Sequence, residues 1–358
     1  MVVVVVFSFL LLFIIFFYFV VVVVYVCCGC DIVKYGCQRL QSPWTTRRLF
    51  LVSKAYSMLL KAYSPFLNLL LVALPLAFAY FLHIYHLALI ENGDNMVHVH
   101  VAESKDTVGA LAGAFVAEAS AKAIAASGRF IVAISGGSLP KLLASGIVDN
   151  KSVEFSKWHV FFADERIVPL DHEDSNYLGC HEKLFSKVGI PREQIYTLDA
   201  SLAPSDCAAA YQKNLLTVCG GEKPVFDLIL LGMGPDGHTA SLFPGHNLLT
   251  ENEKWVASIV DSPKPPPKRI TLTLPTIRLS KQIAFVAAGD GKADTIEEVL
   301  LAATIDLSYE NKVCQYESSV GMDGGALLPT SVVQKEGNDV HWFVDKGAAA
   351  KILKKCKL

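Results

Sequence analysis

The stretch FDLILLGMGPDGHTASLFPG, Phe226–Gly245, decides how this chain reads. It opens as a short apolar run, the pattern of a buried strand. Glycines at 232, 234 and 237 then break it into a turn. That turn presents Asp236 and His238 where a helix is expected to begin. Open α/β sheets build ligand sites at the carboxyl ends of their strands. A histidine in such a place moves protons near neutral pH, and a neighbouring aspartate can fix its orientation, as in catalytic triads. The plain alternative is a structural histidine that caps a helix.

Working outward, apolar runs alternate with helical patterns. Strands are predicted at Val97–Ala102, Phe130–Ile134, Trp158–Ala163, Phe226–Leu231, Ile270–Leu274, Gln282–Ala288 and His341–Val344. Helices are predicted over 105–126, from Pro140 through Ser145, and over 177–188, 205–218 and 291–300. Residues 310–338 read as irregular. The alternation predicts an α/β fold with a mainly parallel sheet covered on both faces.

Two further strand ends carry chemistry. Ser135, Gly136, Gly137 and Ser138 lie between a strand and a helix start, where backbone N–H groups and the helix dipole favour an anion. The alternative is an ordinary tight turn, since the motif matches neither GxxxxGK[ST] nor GxGxxG. Asp164, Glu165 and Arg166 follow the strand at 158–163. Asp164 can orient a base or a substrate hydroxyl, and Arg166 can grip a phosphate with its planar fork. The alternative there is a surface salt-bridge cluster. Arg269 and Lys292, near strand–loop junctions, can complete a phosphate site or be plain surface cations.

The composition excludes some classes. The 358 residues carry a formal charge of -2, so no basic field points to nucleic acid. The five cysteines beyond residue 100 show no metal-ligand spacing, and Cys27-x-x-Cys30 lacks a partner pair, so no metal is expected. No GxSxG elbow is present, and His172 with Cys180 does not match the zinc deaminase pattern.

The mean hydropathy of +0.40 comes largely from the first 90 residues. Val2–Val26 is long and apolar enough to span a bilayer, and Pro65–Ile90 is a weaker candidate. The connector between them is basic, which by the positive-inside rule places it in the cytosol. The same low-complexity tract also reads as a mispredicted start. The chain therefore divides into an apolar region, 1–94, with one or two helices, and an α/β region, 95–358, expected to carry the chemistry.

Four blocks, in order, resemble the 6-phosphogluconolactonase family. They are Ile134–Ser138, then Trp158–Arg166 with Asp171–Tyr177, then Phe226–His246, then Trp255–Pro266 with Lys268–Pro275. The resemblance runs from about Val97 to Ala350, and the proline-rich block looks most like the plant members. It implies a Rossmann-like three-layer α/β/α fold, shared with the glucosamine-6-phosphate deaminases. Those deaminases carry a glutamate five positions after the histidine, where this chain has Phe243.

The implied reaction is hydrolysis of 6-phospho-D-glucono-1,5-lactone to 6-phospho-D-gluconate, in the oxidative pentose phosphate pathway, without metal or cofactor. The implied roles are His238 as general base, Asp236 as its orienter and Asp164 beside them. Ser135–Ser138, Arg166, Arg269 and Lys292 would hold the phosphate. Competing readings are an amino-sugar-phosphate deaminase or isomerase, and a sugar-phosphate sensor without turnover. The terminal Cys356-Lys357-Leu358 resembles the Ser-Lys-Leu peroxisomal address, so a cytoplasmic or peroxisomal location is expected, membrane-anchored if the first 90 residues are genuine.

Overall fold

A computed structural model describes residues 96–300, 304–309, 312–317, 328–336 and 338–357. The apolar region 1–94, its candidate spans 2–26 and 65–90, and the Cys27–Cys37 cluster lie outside the described residues, as does Leu358.

The strands are β1 (Met96–Ala102), β2 (Phe130–Ile134), β3 (Trp158–Phe162), β4 (Asp164–Arg166), β5 (Leu228–Leu231), β6 (Val256–Ile259), β7 (Arg269–Leu272), β8 (Gln282–Ala287), β9 (Thr304–Tyr309), β10 (Lys312–Glu317) and β11 (Val340–Asp345). The α-helices are α1 (Lys105–Ser127), α2 (Leu139–Ile147), α3 (Asn176–Lys183), α4 (Pro204–Cys219), α5 (Leu274–Arg278), α6 (Ala293–Leu300), α7 (Pro329–Glu336) and α8 (Ala350–Cys356). The main sheet has the order β10-β9-β1-β11-β8-β5-β2-β3. Every neighbouring pair in it is parallel except β9 with β10.

Side chains alternate across this sheet with the period of two that a pleat imposes. On one face Phe130, Val132 and Ile134 of β2 join Trp158, Val160 and Phe162 of β3 under α1, α2 and α3. On the other, Ile131, Ile229, Leu231, Phe285 and Trp342 pack against α4, α6, α7 and α8. Each such fully buried side chain contributes about 1.5–3 kcal/mol. The result is the three-layer architecture expected from the alternation. Among the described residues, α1 is long and apolar enough to cross a bilayer. Its apolarity is used within the fold, with Val108, Ala112, Val116 and Ala123 buried against the sheet and α2.

From β2 the chain passes through α2 to β3 on one side. From β5 it passes to β8 on the other. The sheet order therefore reverses between the adjacent strands β2 and β5, the place where such sheets open a crevice beyond their carboxyl ends. A second, antiparallel sheet, β4-β7-β6, carries Asp164, Arg166 and Arg269.

Several expectations need correction. Residues 310–338 are not wholly irregular, because they contain β10 and α7. The strand predicted through Leu274 stops at Leu272, where Pro275 opens α5. The helix predicted through Val188 ends at Lys183 and gives way to a 3₁₀ turn at Phe185–Lys187. No α-helix begins at His238. Residues 239 and 242 pair in an isolated bridge, Ala240 takes a φ of 48°, and a 3₁₀ turn at Asn247–Thr250 follows. A helix cannot propagate through a residue in that left-handed region. His238 is thus not a helix cap.

Candidate active site

The turn after β5 is pinned at several points. Thr239 Oγ1 donates to the Gly232 carbonyl at 2.8 Å, and the Gly234 N–H donates to the His238 carbonyl at 2.8 Å. Thr330 Oγ1 donates to the Gly237 carbonyl at 2.6 Å, and Thr295 Oγ1 to the Pro235 carbonyl at 2.9 Å. Within this frame His238 Nδ1 lies 2.5 Å from Asp236 Oδ1. Gly234 is what allows it. A Cβ there would stand 2.0 Å from His238 Nδ1 and 2.6 Å from Asp236 Oδ1.

A lone pair on Nδ1 would face the carboxylate at repulsive range, so the Nδ1 proton is assigned from this contact. Nε2 then carries the free lone pair. Burial pushes the His238 imidazole below its ordinary value, the Lys264 charge adds to this, and Asp236 opposes it. The ring is therefore neutral at neutral pH and able to accept a proton. For Asp236, burial pulls upward, but the bonds from His238 and Lys264 prevail and hold the carboxyl at about 2. The Phe243 ring packs 4.8 Å from the imidazole, centroid to centroid.

Across the crevice, the Ser135 N–H donates to the Leu230 carbonyl at 2.9 Å, which ties the β2 loop to β5. Gly136 makes room for Asn176, since a Cβ there would meet Asn176 Oδ1 at 1.8 Å. Pro140 sits in the first turn of α2, whose N-terminus points its partial positive charge at this loop. Ser135 Oγ is buried with no hydrogen-bond partner.

The small sheet supplies the third side. Asp164 is buried. Its Oδ2 accepts from Ser241 Oγ at 2.7 Å and lies 3.9 Å from Arg269 Nη1, while its carbonyl accepts from Asn176 Nδ2 at 2.8 Å. Glu165 turns the other way. It accepts the N–H groups of Asn176 at 2.7 Å, Tyr177 at 2.8 Å and Arg166 at 2.8 Å, and so caps α3. Burial raises its carboxyl to about 7 against those three donors. Asp164 and Glu165 are therefore not a surface salt-bridge cluster.

Arg166 Nη1 donates to the Asp174 carbonyl at 2.7 Å, and its buried Nε has no partner. Arg269, only 3% exposed, is no surface cation. Its Nη2 donates to the carbonyls of Lys264 at 2.8 Å and Pro265 at 3.1 Å, and its Nε to that of Pro266 at 3.0 Å. Lys292 donates to the Met233 carbonyl.

One cavity brings these segments together. Ser135, Gly136, Gly137 and Ser138 line it, with Asp164, Arg166, His238, Arg269 and Lys292. Of the residues predicted for the site, only Asp236 is not in its wall, and it stands behind His238. Two wall or support residues were missed. Asn176 follows an acidic run, and its only local signal was a helix start. Lys264 lies in the proline-rich loop, which offered a turn signal and no chemistry.

A family model described as glucosamine-6-phosphate isomerases/6-phosphogluconolactonase matches residues 103–342. The chain belongs to this family. It is 43% identical over 252 residues to a probable 6-phosphogluconolactonase of Schizosaccharomyces pombe, covering 67% of this chain and 90% of that one. It is 41% identical over 248 residues to a rice protein named probable 6-phosphogluconolactonase 3, chloroplastic, covering 66% of this chain and 70% of the relative. Among solved structures, the 6-phosphogluconolactonase from Trypanosoma cruzi superposes with a TM-score of 0.59 at 25% identity, over 72% of this chain and 98% of that one.

Proposed function

We propose that this protein hydrolyses 6-phospho-D-glucono-1,5-lactone to 6-phospho-D-gluconate, with His238 as general base. The observation that carries the reading is that His238, paired with Asp236, and the Ser135–Ser138 loop line one cavity. A sugar phosphate can then have its ester at one end and its phosphate at the other.

In the reaction, Nε2 takes a proton from a water that attacks the lactone carbonyl carbon. A tetrahedral oxyanion forms, and Asp236 stabilises the imidazolium beside it. The ring C–O bond breaks and the proton passes from Nε2 to the leaving ring oxygen. The products are a carboxylic acid, which ionises, and a free hydroxyl. A lactone is already an activated acyl group, so water needs only a base and an orienting site. Arg166, Lys292 and the Ser135–Ser138 loop form the positive end, and Arg269 adds its charge while its donors hold the proline loop and Asp164. Asp164 is placed to orient the substrate or the base.

Phe243 favours this chemistry over deamination. An apolar ring stands against His238 where the deaminases carry a glutamate. Residues 95–358 would be the catalytic domain, with 1–94 an appended apolar segment that can anchor it to a membrane. The candidate compartments are the cytoplasm and the peroxisome, and the likeness to the rice relative named chloroplastic adds a plastid to them.

The test is a coupled lactonase assay with the spontaneous rate subtracted. His238→Ala should lose about 10²–10⁴-fold in kcat. A variant that keeps the full enzymatic rate refutes the mechanism.

A further inference from the structure

Asp236 Oδ1 is shared by two nitrogen donors. His238 Nδ1 stands 2.5 Å from it and Lys264 Nζ 3.0 Å from it, and the two nitrogens are 3.1 Å apart. We propose that Lys264 is a positioning residue for the reaction: its ammonium, presented by the Arg269-clamped proline loop, holds Asp236 against Nδ1 and keeps His238 a neutral base. The proposal rests on the lactonase reading for its catalytic meaning and on geometry for its placement.

The presentation is built. Pro263, Pro265, Pro266 and Pro267 restrict the backbone around Lys264. Arg269, buried beneath, donates to three successive carbonyls, those of Lys264, Pro265 and Pro266. Ser262 Oγ donates to the Lys264 carbonyl at 2.9 Å. The lysine is therefore no loose surface cation, although its side chain is 38% exposed.

An ammonium has three donors and no acceptor. Beside a protonated Nδ1 it can bond only the carboxylate, and its charge then opposes a second proton on the ring. Asp236 acts in the other sense, favouring the imidazolium. The base is set between the two. Asp164, from β4, acts in the same sense as Asp236, and the cations Arg166, Arg269 and Lys292 share the cavity with the imidazole. Lys264 is not in the cavity wall, which separates its role from that of a substrate ligand.

Two measurements on the full chain test this. The first compares the pH profile of kcat/KM for the wild type, Lys264→Met and Lys264→Arg. One charge at that separation, in a water-like dielectric, is worth about one pKa unit. The acid limb should move up by about that much in Lys264→Met and return in Lys264→Arg, with KM within about twofold, as uniform binding is untouched. A raised KM with unchanged kcat would make Lys264 a substrate ligand and overturn the proposal, as would an unmoved limb.

The second measurement needs no turnover. The His238 imidazole is titrated by NMR with labelled histidine, its signal identified through His238→Asn. A higher pKa in Lys264→Met supports the proposal and an unchanged one overturns it. If the wild type had no lactonase activity, the functional reading would fail while this titration still decided the role of Lys264.

Discussion

Replacing Gly234 with alanine adds a methyl group directly against the dyad. Its Cβ would lie 2.0 Å from His238 Nδ1, 2.1 Å from Cε1 and 2.6 Å from Asp236 Oδ1. Real Cβ contacts do not fall below about 3.0 Å, so the imidazole must retreat by about 1 Å. The bond it would leave is 2.5 Å long. A displacement of about 1 Å in a catalytic group costs about 10²-fold, or about 2.7 kcal/mol of barrier. Full loss of the base sets the ceiling at about 10⁴-fold. Gly232 in the same turn is the control, because a Cβ there meets nothing within 4 Å. Neither glycine takes a positive φ, so alanine strains neither backbone. The assay is kcat for lactone hydrolysis, since Gly232 also lines the cavity and a methyl there acts on affinity. Gly234→Ala should fall at least 10²-fold while Gly232→Ala stays near wild type. Equal losses in both, or a Gly234→Ala kcat within tenfold of wild type, would refute the account.

Glu165→Gln sets an amide NH₂ against the N–H donors that Glu165 now accepts, and should cost about 1–3 kcal/mol in urea unfolding at pH 8. Because burial raises the folded carboxyl to about 7, the stability tied to its protonated form is complete below about 4.5 and is lost as pH rises through 7, a slope the glutamine variant should lack. His100, half-buried beside His341 at 3.1 Å, titrates in the opposite sense. Burial first, then the His341 and His98 charges, lower it to about 4, so its neutral form adds stability above 6.5 that is lost as pH falls toward 4. That is at most about 3 kcal/mol, and His100→Phe, stacked on Phe343, should flatten acid unfolding across this window.

The main sheet was legible because its central strands are apolar on both faces. Phe130–Ile134 reads without ambiguity, and the glycines after Leu231 mark the turn that carries the dyad. The small sheet was not legible. β4 has three residues, too few for any period, and its partners lie about a hundred residues away. The same short segment hid the role of Glu165, whose carboxylate caps a helix eleven positions downstream. β10 and α7 were missed in a stretch poor in large apolar residues. The expected helix after His238 failed because Ala240 takes a left-handed φ and Pro244 and Gly245 follow it. Lys264 was invisible for a similar reason. Proline spacing predicts a turn, but only the clamp from Arg269 fixes where the lysine points.

The division of donors around the cavity separates gripping from scaffolding among the four cations. The chain as a whole is slightly acidic, so a phosphate dianion must be attracted by local groups. Arg269 spends its Nε and Nη2 protons on three loop carbonyls and turns Nη1 toward Ser241 and Asp164. A guanidinium has five donors, so little of this one is left for a ligand, and its service is to hold the loop and Asp164. Lys264 is engaged with Asp236. Among the described residues, the buried side-chain donors with no partner are Ser135 Oγ and Arg166 Nε, and both residues line the cavity. Lys292 uses one of its three protons on Met233, and burial, then the charge of Lys264, lower its proton affinity. Leaving such groups without partners is costly, and a phosphate oxygen offers the acceptors they lack. On the proposed reading, the anion's grip would fall chiefly to Ser135, Arg166 and Lys292. Its distance from His238 is set by the β2 and β5 loops, which flank the point where the sheet order reverses.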